Sequence, residues 1–365
     1  MPELIWKDFI VIDLVSALQV VLLGFIGGIL SGFIGSGGAF FMTPGMMNLG
    51  VPGVIAVGSN ITHKFGKAMM GARQHGELGN VDRKLGVFLV LTSYAGIGLA
   101  VWINSYLFRL GESVGEDKAA AANLYISAVF VSILLFVSLS MLRDVVSASD
   151  EEGGPSRKIA DALARLRLVP VIHFPVADVK VSLWVLMLVG LATGYLAGTI
   201  GVGGFIGVPA MIYVFGVPTA VAAGTELFLA MFMGAFGALN YVWAGFVDIR
   251  LTMLLYLGSL FGIYVGAYGT KVVKESLIRL VTALVILICV LSRAVAIPIY
   301  LRQLGFIGID PVWDGWLNQI SKVLLMLAGV AGVGVILYNV FVAFRRQGRI
   351  RRSLATVVTG STAPR

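Results

Sequence analysis

Between Leu14 and Ile34 the chain runs for 21 residues without a charged side chain. That length matches the roughly 20 residues an α-helix needs to cross the hydrocarbon of a bilayer. Eight further apolar runs follow, at about Pro52–Gln74, Leu85–Phe108, Ala119–Leu142, Val181–Ile200, Pro218–Val247, Leu251–Val273, Ser276–Ile299 and Val323–Phe344. Lipid offers the backbone no hydrogen-bond partner, so segments of this kind cross as helices. The expected class is an all-α polytopic membrane protein of eight or nine spans. Composition agrees, with 58% hydrophobic and 13% charged residues against about 25% charged in a soluble domain. Glu3, Asp8 and Asp13 precede the first run without the basic cluster of a signal peptide, so that run reads as a retained span.

The longest polar segment, 143–180, carries Arg143, Arg157, Lys158, Arg165, Arg167 and Lys180. Under the positive-inside rule it belongs in the cytoplasm. Within it, Ser156–Leu168 has the spacing of a surface-lying amphipathic helix, with a plain solvated linker as the alternative. The run "RRQGRIRR" near the C-terminus argues for the cytoplasm too. Five spans separate it from the linker, an odd number that puts the two on opposite sides. A miscounted or broken helix over 276–309, where Arg293 and Pro298 interrupt the apolar pattern, is the expected way out. Arg293 itself reads as a snorkelling or linker-pairing residue. The net charge of +8 is assigned to basic flanks on anionic lipid rather than to nucleic acid.

Glycines break the apolar pattern twice, in register. "SGFIGSGGAFFMTPGMMNLGVP" (31–52) and "AGTIGVGGFIGVPAMIYVFGVP" (197–218) align at a constant shift of 166 residues, and 19 of the 62 positions from Gly24/Gly190 to Leu85/Leu251 are identical. The chain therefore reads as two related halves. Gly- or Pro-interrupted spans at matching places point to a transporter's binding site, because irregular backbone at membrane depth is tolerated only inside protein or along a cavity. The turns Gly35, Ser36, Gly37, Gly38 and Gly201, Val202, Gly203, Gly204 then start half-helices over Ala39–Leu49 and Phe205–Phe215. Their N-terminal amides and dipoles favour an anion. Close helix packing, as in the seam Gly24–Gly28, is the other reading of such glycines.

These paired segments, with the loops "GNVDRKLG" and "GFVDIRL", resemble the sulfite exporter TauE/SafE family over about residues 14–300. The resemblance implies two four-helix repeats and export of small sulfur oxyanions or sulfonates. On that basis the chain divides into a first repeat (14–142), a linker (143–180), a second repeat (181–300), an additional C-terminal span (301–345) and a basic tail (346–365).

The second span is far more polar than its counterpart in the other half. It carries Asn60, His63, Lys64 and Lys67, whereas the sixth span carries one carboxylate, Glu226, at the repeat position of Asn60. Helical spacing puts His63 with Lys67, and Asn60 with Lys64 and Lys67, on shared faces. Ionisable groups in a span mark substrate or proton pathways. A cationic arc beside two anion-seeking half-helices suits an anion permease, with Glu226 expected to pair with one of the lysines. A passive channel and a non-transporting scaffold remain as alternatives. His63, His75 and His173 make no metal spacing, the single Cys289 excludes an intramolecular disulfide, and no nucleophile or P-loop motif is present. Neither an enzyme activity nor a cofactor is expected. The expected partners are a small anion and the lipid of the cell membrane.

Overall fold

The computed structural model describes residues 12–34, 38–114, 119–147, 168–201, 203–273 and 275–360. Helices dominate them: α1 (Leu14–Ile34), α2 (Ala39–Asn48), α3 (Gly53–Glu77), α4 (Arg83–Val114), α5 (Ala120–Ser147), α6 (Leu183–Ile200), α7 (Gly204–Pro209), α8 (Thr219–Ala244), α9 (Ile249–Val272), α10 (Glu275–Gln303) and α11 (Val312–Gly360). A π-helical turn, Ala210–Val214, continues α7. Among the described residues eight helices are long and apolar enough to span a membrane. The ninth long helix, α3, has the length but carries the polar residues noted above. The two expected half-helices are present as α2 and as α7 with its π turn.

Two buried aspartates start helices. Asp82 accepts the Leu85 amide at 3.0 Å, and Asp248 accepts the amides of Arg250 and Leu251. Each takes up amide groups that a helix N-terminus leaves without partners. The same contact then recurs across the halves. The Asp82 amide donates to Thr225 Oγ1 at 3.0 Å, and the Asp248 amide donates to Ser59 Oγ at 3.1 Å.

Helix packing relies on absent side chains. A Cβ on Gly28 would come within 2.7 Å of the Ser259 backbone, and one on Gly194 within 2.1 Å of the Ser93 carbonyl. Gly24, Gly28 and Gly32 meet Leu255, Ser259 and Ile263 in ascending order, so α1 and α9 run parallel. In the same way Gly190, Gly194 and Gly198 meet Leu89, Ser93 and Ile97 and make α6 parallel to α4. Small residues let backbones approach where lipid supplies no hydrophobic drive between helices.

Chain direction settles the parity problem. Contacts Gly86–Phe228, Gly237–Ile97 and Asn104–Tyr241 make α8 parallel to α4, hence to α6. The half-helix between α6 and α8 turns the chain back, so the two add one net crossing rather than two. Helix α10 is continuous through Pro298, so the expected break in 276–309 does not exist. It runs antiparallel to α11, as Ser292–Ser321 and Val285–Gly332 show. The C-terminal end of α11 therefore lies at the same end of the bundle as the end of α5 and the start of α6. Helix α11 continues through the basic run after Phe344 to Gly360.

The described end of the linker is folded. Its candidate amphipathic helix lies outside the described residues except for Leu168, but Val171–Phe174 and Val179–Ser182 pair as an antiparallel hairpin. Asp82 Oδ2 accepts the amides of Val176 and Ala177 at 3.1 and 3.0 Å, and Lys84 Nζ donates to the His173 carbonyl at 2.9 Å. Phe174 is buried with its ring 6.1 Å from that of Phe88.

Two outcomes are expected from this arrangement. An impermeant thiol reagent should reach Gly308→Cys and Lys180→Cys from opposite faces of the membrane; labelling of both from one face would overturn the chain directions above. Asp82→Ala should cost about 1–2 kcal/mol as a lost cap and speed hydrogen exchange at Val176 and Ala177, whereas unchanged exchange would dissociate the hairpin from Asp82.

Candidate functional site

Helix α6 stops inside the bundle. Gly201 follows Ile200 with φ +78°, a left-handed conformation that glycine adopts without strain. The carbonyls at the end of a helix lack intrahelical donors, and here side chains from three other helices supply them. The Tyr241 hydroxyl on α8 donates to the Gly198 carbonyl at 2.6 Å. Asn104 on α4 donates from Nδ2 to the Thr199 carbonyl at 3.2 Å and to the Tyr241 hydroxyl at 2.8 Å. Thr43 on α2 reaches the Ile200 carbonyl at 3.4 Å. The first half-helix thus touches the turn that starts the second.

Helix α2 is buried along all ten of its residues. Its N-terminal Gly38 lies so close to α1 that a Cβ would come within 2.0 Å of the Gly27 carbonyl. The other end is held by an unexpected group. Arg293 on α10 is 1% exposed, donating to Asn48 Oδ1 at 3.2 Å and to the Tyr300 hydroxyl at 2.8 Å. Ser321 on α11 donates to the same Asn48 oxygen at 3.1 Å. The snorkelling or linker-pairing reading of Arg293 is therefore wrong. Its guanidinium is drawn inward by polar groups and by the negative end of α2, where a cation is favoured.

Helix α3 distributes its polar side chains over several neighbours. Asn60 donates from Nδ2 to Thr43 Oγ1 at 2.8 Å and to the Ala39 carbonyl at 3.4 Å, so both amide hydrogens brace α2. Its Nδ2 also lies 3.4 Å from where a Cβ on Gly201 would be. Lys64 points to the second turn, its Nζ 3.4 Å from the corresponding position on Gly203. Lys67 reaches Ser31 Oγ on α1 at 3.4 Å. His63 turns away to α9, where Nε2 meets Ser259 Oγ at 2.7 Å and the ring lies 4.7 Å from that of Tyr256. The shared face of His63 and Lys67 is thus split between two helices.

Glu226 is 4% exposed, and neither carboxylate oxygen has a hydrogen-bond partner among the described residues. It lies close enough to Lys64 to interact electrostatically, yet the expected ion pair is not closed. Among the described residues no carboxylate lies within 4.0 Å of Lys64 or Lys67. Instead α7 presses on the carboxylate, since a Cβ on Gly207 would fall 2.1 Å from Glu226 Oε2. Gly203 and buried Gly204 begin α7 one turn earlier. Gly203 has φ −78°, so its requirement for glycine comes from crowding and not from backbone conformation.

The structure thus gathers Asn60, Lys64, Gly201, Gly203, Gly204 and Glu226 around the broken end of α6, with Gly38 at the start of α2. Gly35, Ser36, Gly37 and Val202 lie outside the described residues. Sequence reasoning missed Thr43, Asn104 and Tyr241, whose only signal was polarity within apolar spans. Among the described residues no cluster of three His, Cys, Asp or Glu could hold a metal.

The same architecture has known relatives. The family model for sulfite exporter TauE/SafE matches residues 20–293, which begin within α1 and stop within α10. The chain is 26% identical over 274 residues to the probable membrane transporter protein YjnA of Bacillus subtilis (strain 168), covering 74% of this chain and 97% of that protein. It is also 26% identical over 284 residues to the probable membrane transporter protein YdhB of the same organism, covering 75% and 96%. No solved structure matches. With its multiple spans and a family model matched over most of its length, the chain belongs to the sulfite exporter TauE/SafE family of membrane transporters.

Proposed function

We propose that this transporter is a secondary permease for a small anion of the sulfite or organosulfonate type, working as an exporter. The observation that carries the reading is the pair Lys64 and Lys67, two half-buried lysines on α3 with no carboxylate within 4.0 Å among the described residues. Cations drawn partly out of water without a close counter-charge favour an anion beside them. Lys64 stands at Gly203, where the backbone approaches without a side chain. Asn60, its hydrogens engaged by Thr43 and Ala39, acts as a brace rather than a ligand. The family name supports sulfite as the reference substrate.

In this reading the chain has two repeats, 14–142 and 181–300, of opposite orientation. Contacts that recur at a 166-residue shift support it, such as Gly28–Ser259 with Gly194–Ser93 and Gly58–Phe246 with Gly224–Asn80. The common end of α5 and α11 faces the cytoplasm, which accommodates both basic segments under one rule. The hairpin and its clamp on Asp82 then belong to the cytoplasmic face.

The test is flux into or out of proteoliposomes containing the full chain, with sulfite, thiosulfate, sulfate and methanesulfonate compared. Saturable sulfite or methanesulfonate flux is expected, and steady single-channel current would replace the permease with a channel. A charge-assisted hydrogen bond is worth about 1.5–3 kcal/mol, so Lys64→Met should lower kcat/KM about 10- to 100-fold, and Lys67→Met should act in the same direction. Unchanged concentration dependence in both variants would remove the lysines from the substrate site.

A second expectation concerns the turn. A Cβ on Gly203 would lie 3.0 Å from Ala197 Cβ and 2.9 Å from Met233 Cε. Gly203→Val should therefore abolish flux while leaving protein in the membrane, and Gly203→Ala should retain a fraction of it. Wild-type rates for Gly203→Val at matched expression would contradict the crowding.

A further inference from the structure

We propose that Glu226 is the proton carrier of this permease, taking up one proton when the substrate anion binds at Lys64 and releasing it on the side where the anion leaves. The inference rests on the anion reading above and adds the coupling ion to it.

The observation behind it is a carboxylate in an unusual state. Glu226 is 4% exposed and neither of its oxygens accepts a hydrogen bond from the described residues. A buried carboxylate normally has donors around it, because removal from water without them is costly. This one can be stable in two ways, with a positive charge nearby or with a proton on an oxygen.

The neighbouring elements leave few groups to consider. From α3 the facing charge is Lys64, with Lys67 directed to Ser31, His63 held by Ser259 and the imidazole His75 packed against Gly224, two residues before Glu226. Between Gly204 and Val214 the one ionisable side chain is Tyr213, which is bonded to Asp144. Tyr195 of α6 faces Tyr125, and Tyr94 of α4 stacks on Phe236. The cations of α4, Arg83, Lys84 and Arg109, occupy exposed positions. Lys64 is therefore the counter-charge at hand.

An anion bound at Lys64 engages that counter-charge and adds a like charge near the carboxylate, which favours the protonated acid. The balance is simple. An O–H bond forms on Glu226 with a proton from solvent, and no other bond changes. Empty, Lys64 and Glu226 sum to zero charge; loaded, the ammonium, the monovalent anion and the protonated acid again sum to zero. Anion and proton thus move together without net charge. A sodium ion is a poor substitute, since hard cations seek several oxygen ligands. Here Gly207 covers the carboxylate, an ammonium stands nearby, and no group of three His, Cys, Asp or Glu that could hold a metal ion forms among the described residues.

The experiment uses purified full-length protein and methanesulfonate, whose sulfonate stays ionised and brings no proton of its own. Calorimetric titration in buffers of different ionisation enthalpy reads the protons taken up per anion bound. The wild type should take up about one proton per anion at its maximum across neutral to alkaline pH, and Glu226→Gln should bind methanesulfonate with uptake near zero. In proteoliposomes a pH gradient, but not an imposed potassium diffusion potential, should drive methanesulfonate accumulation. Binding without proton uptake in the wild type would overturn the proposal whether or not the variant folds. Full proton uptake in Glu226→Gln, or flux driven by potential alone, would also overturn it. If neither methanesulfonate nor bisulfite binds the wild type, the anion reading itself fails and the coupling fails with it.

Discussion

A helix that ends in the middle of a membrane must find donors for its last carbonyls, because lipid and interior side chains of the aliphatic kind provide none. In this transporter that demand falls on Gly198, Thr199 and Ile200, and it is met by Tyr241, Asn104 and Thr43. Those three residues belong to α8, α4 and α2. The break in one helix therefore joins four helices at one point. Once the carbonyls are satisfied, the chain is free to leave helical geometry at Gly201 and resume it at Gly204, with a lysine beside the gap. The polar site is a by-product of how the break is stabilised.

The two halves share their scaffold and differ in their chemistry. Glycine contacts and helix-starting aspartates occur in both, at matching positions. The ionisable residues do not. Asn60 corresponds to Glu226, and the positions matching His63, Lys64 and Lys67 are Leu229, Ala230 and Met233. Conformational change between two inverted halves requires similar packing on both sides, whereas a single ligand needs only one set of charges. Helix α11 and the end of α10, beyond the residues matched by the family model, add a further asymmetry: Ser321 donates to Asn48, and Tyr300 accepts from Arg293, the last matched residue, which itself holds Asn48.

Much of the fold is legible in the sequence because lipid imposes a length and a polarity that any span must meet. The half-helices were visible through paired glycines, and Gly201 and Gly203 through the register. Other features depend on tertiary contacts and left weaker traces. Arg293 looks like an interfacial residue until Asn48 and Tyr300 are brought to it. Pro298 looks like a break because the rule for isolated helices takes no account of neighbours in a bundle. The hairpin did leave a signal: two four-residue β-branched runs, "VIHF" and "VKVS", separated by "PVAD". All five spans after the linker are present, but the half-helix between α6 and α8 reverses the chain, so five spans do not put the basic segments on opposite sides. His63 and Lys67 share a helical face, yet their side chains diverge to α9 and α1.

The glycine seams carry one consequence for genetics. Along α1–α9 and α4–α6 main chain lies against main chain, so one methyl group at Gly28 or Gly194 overlaps backbone that cannot rotate aside. A random mutagenesis screen for lost transport would be populated by these seam positions, which touch no substrate. Charged residues of the site would be a minority of its hits. Sorting the two classes requires a count of assembled protein alongside each measured rate, because a null phenotype here reports first on whether the helices could approach.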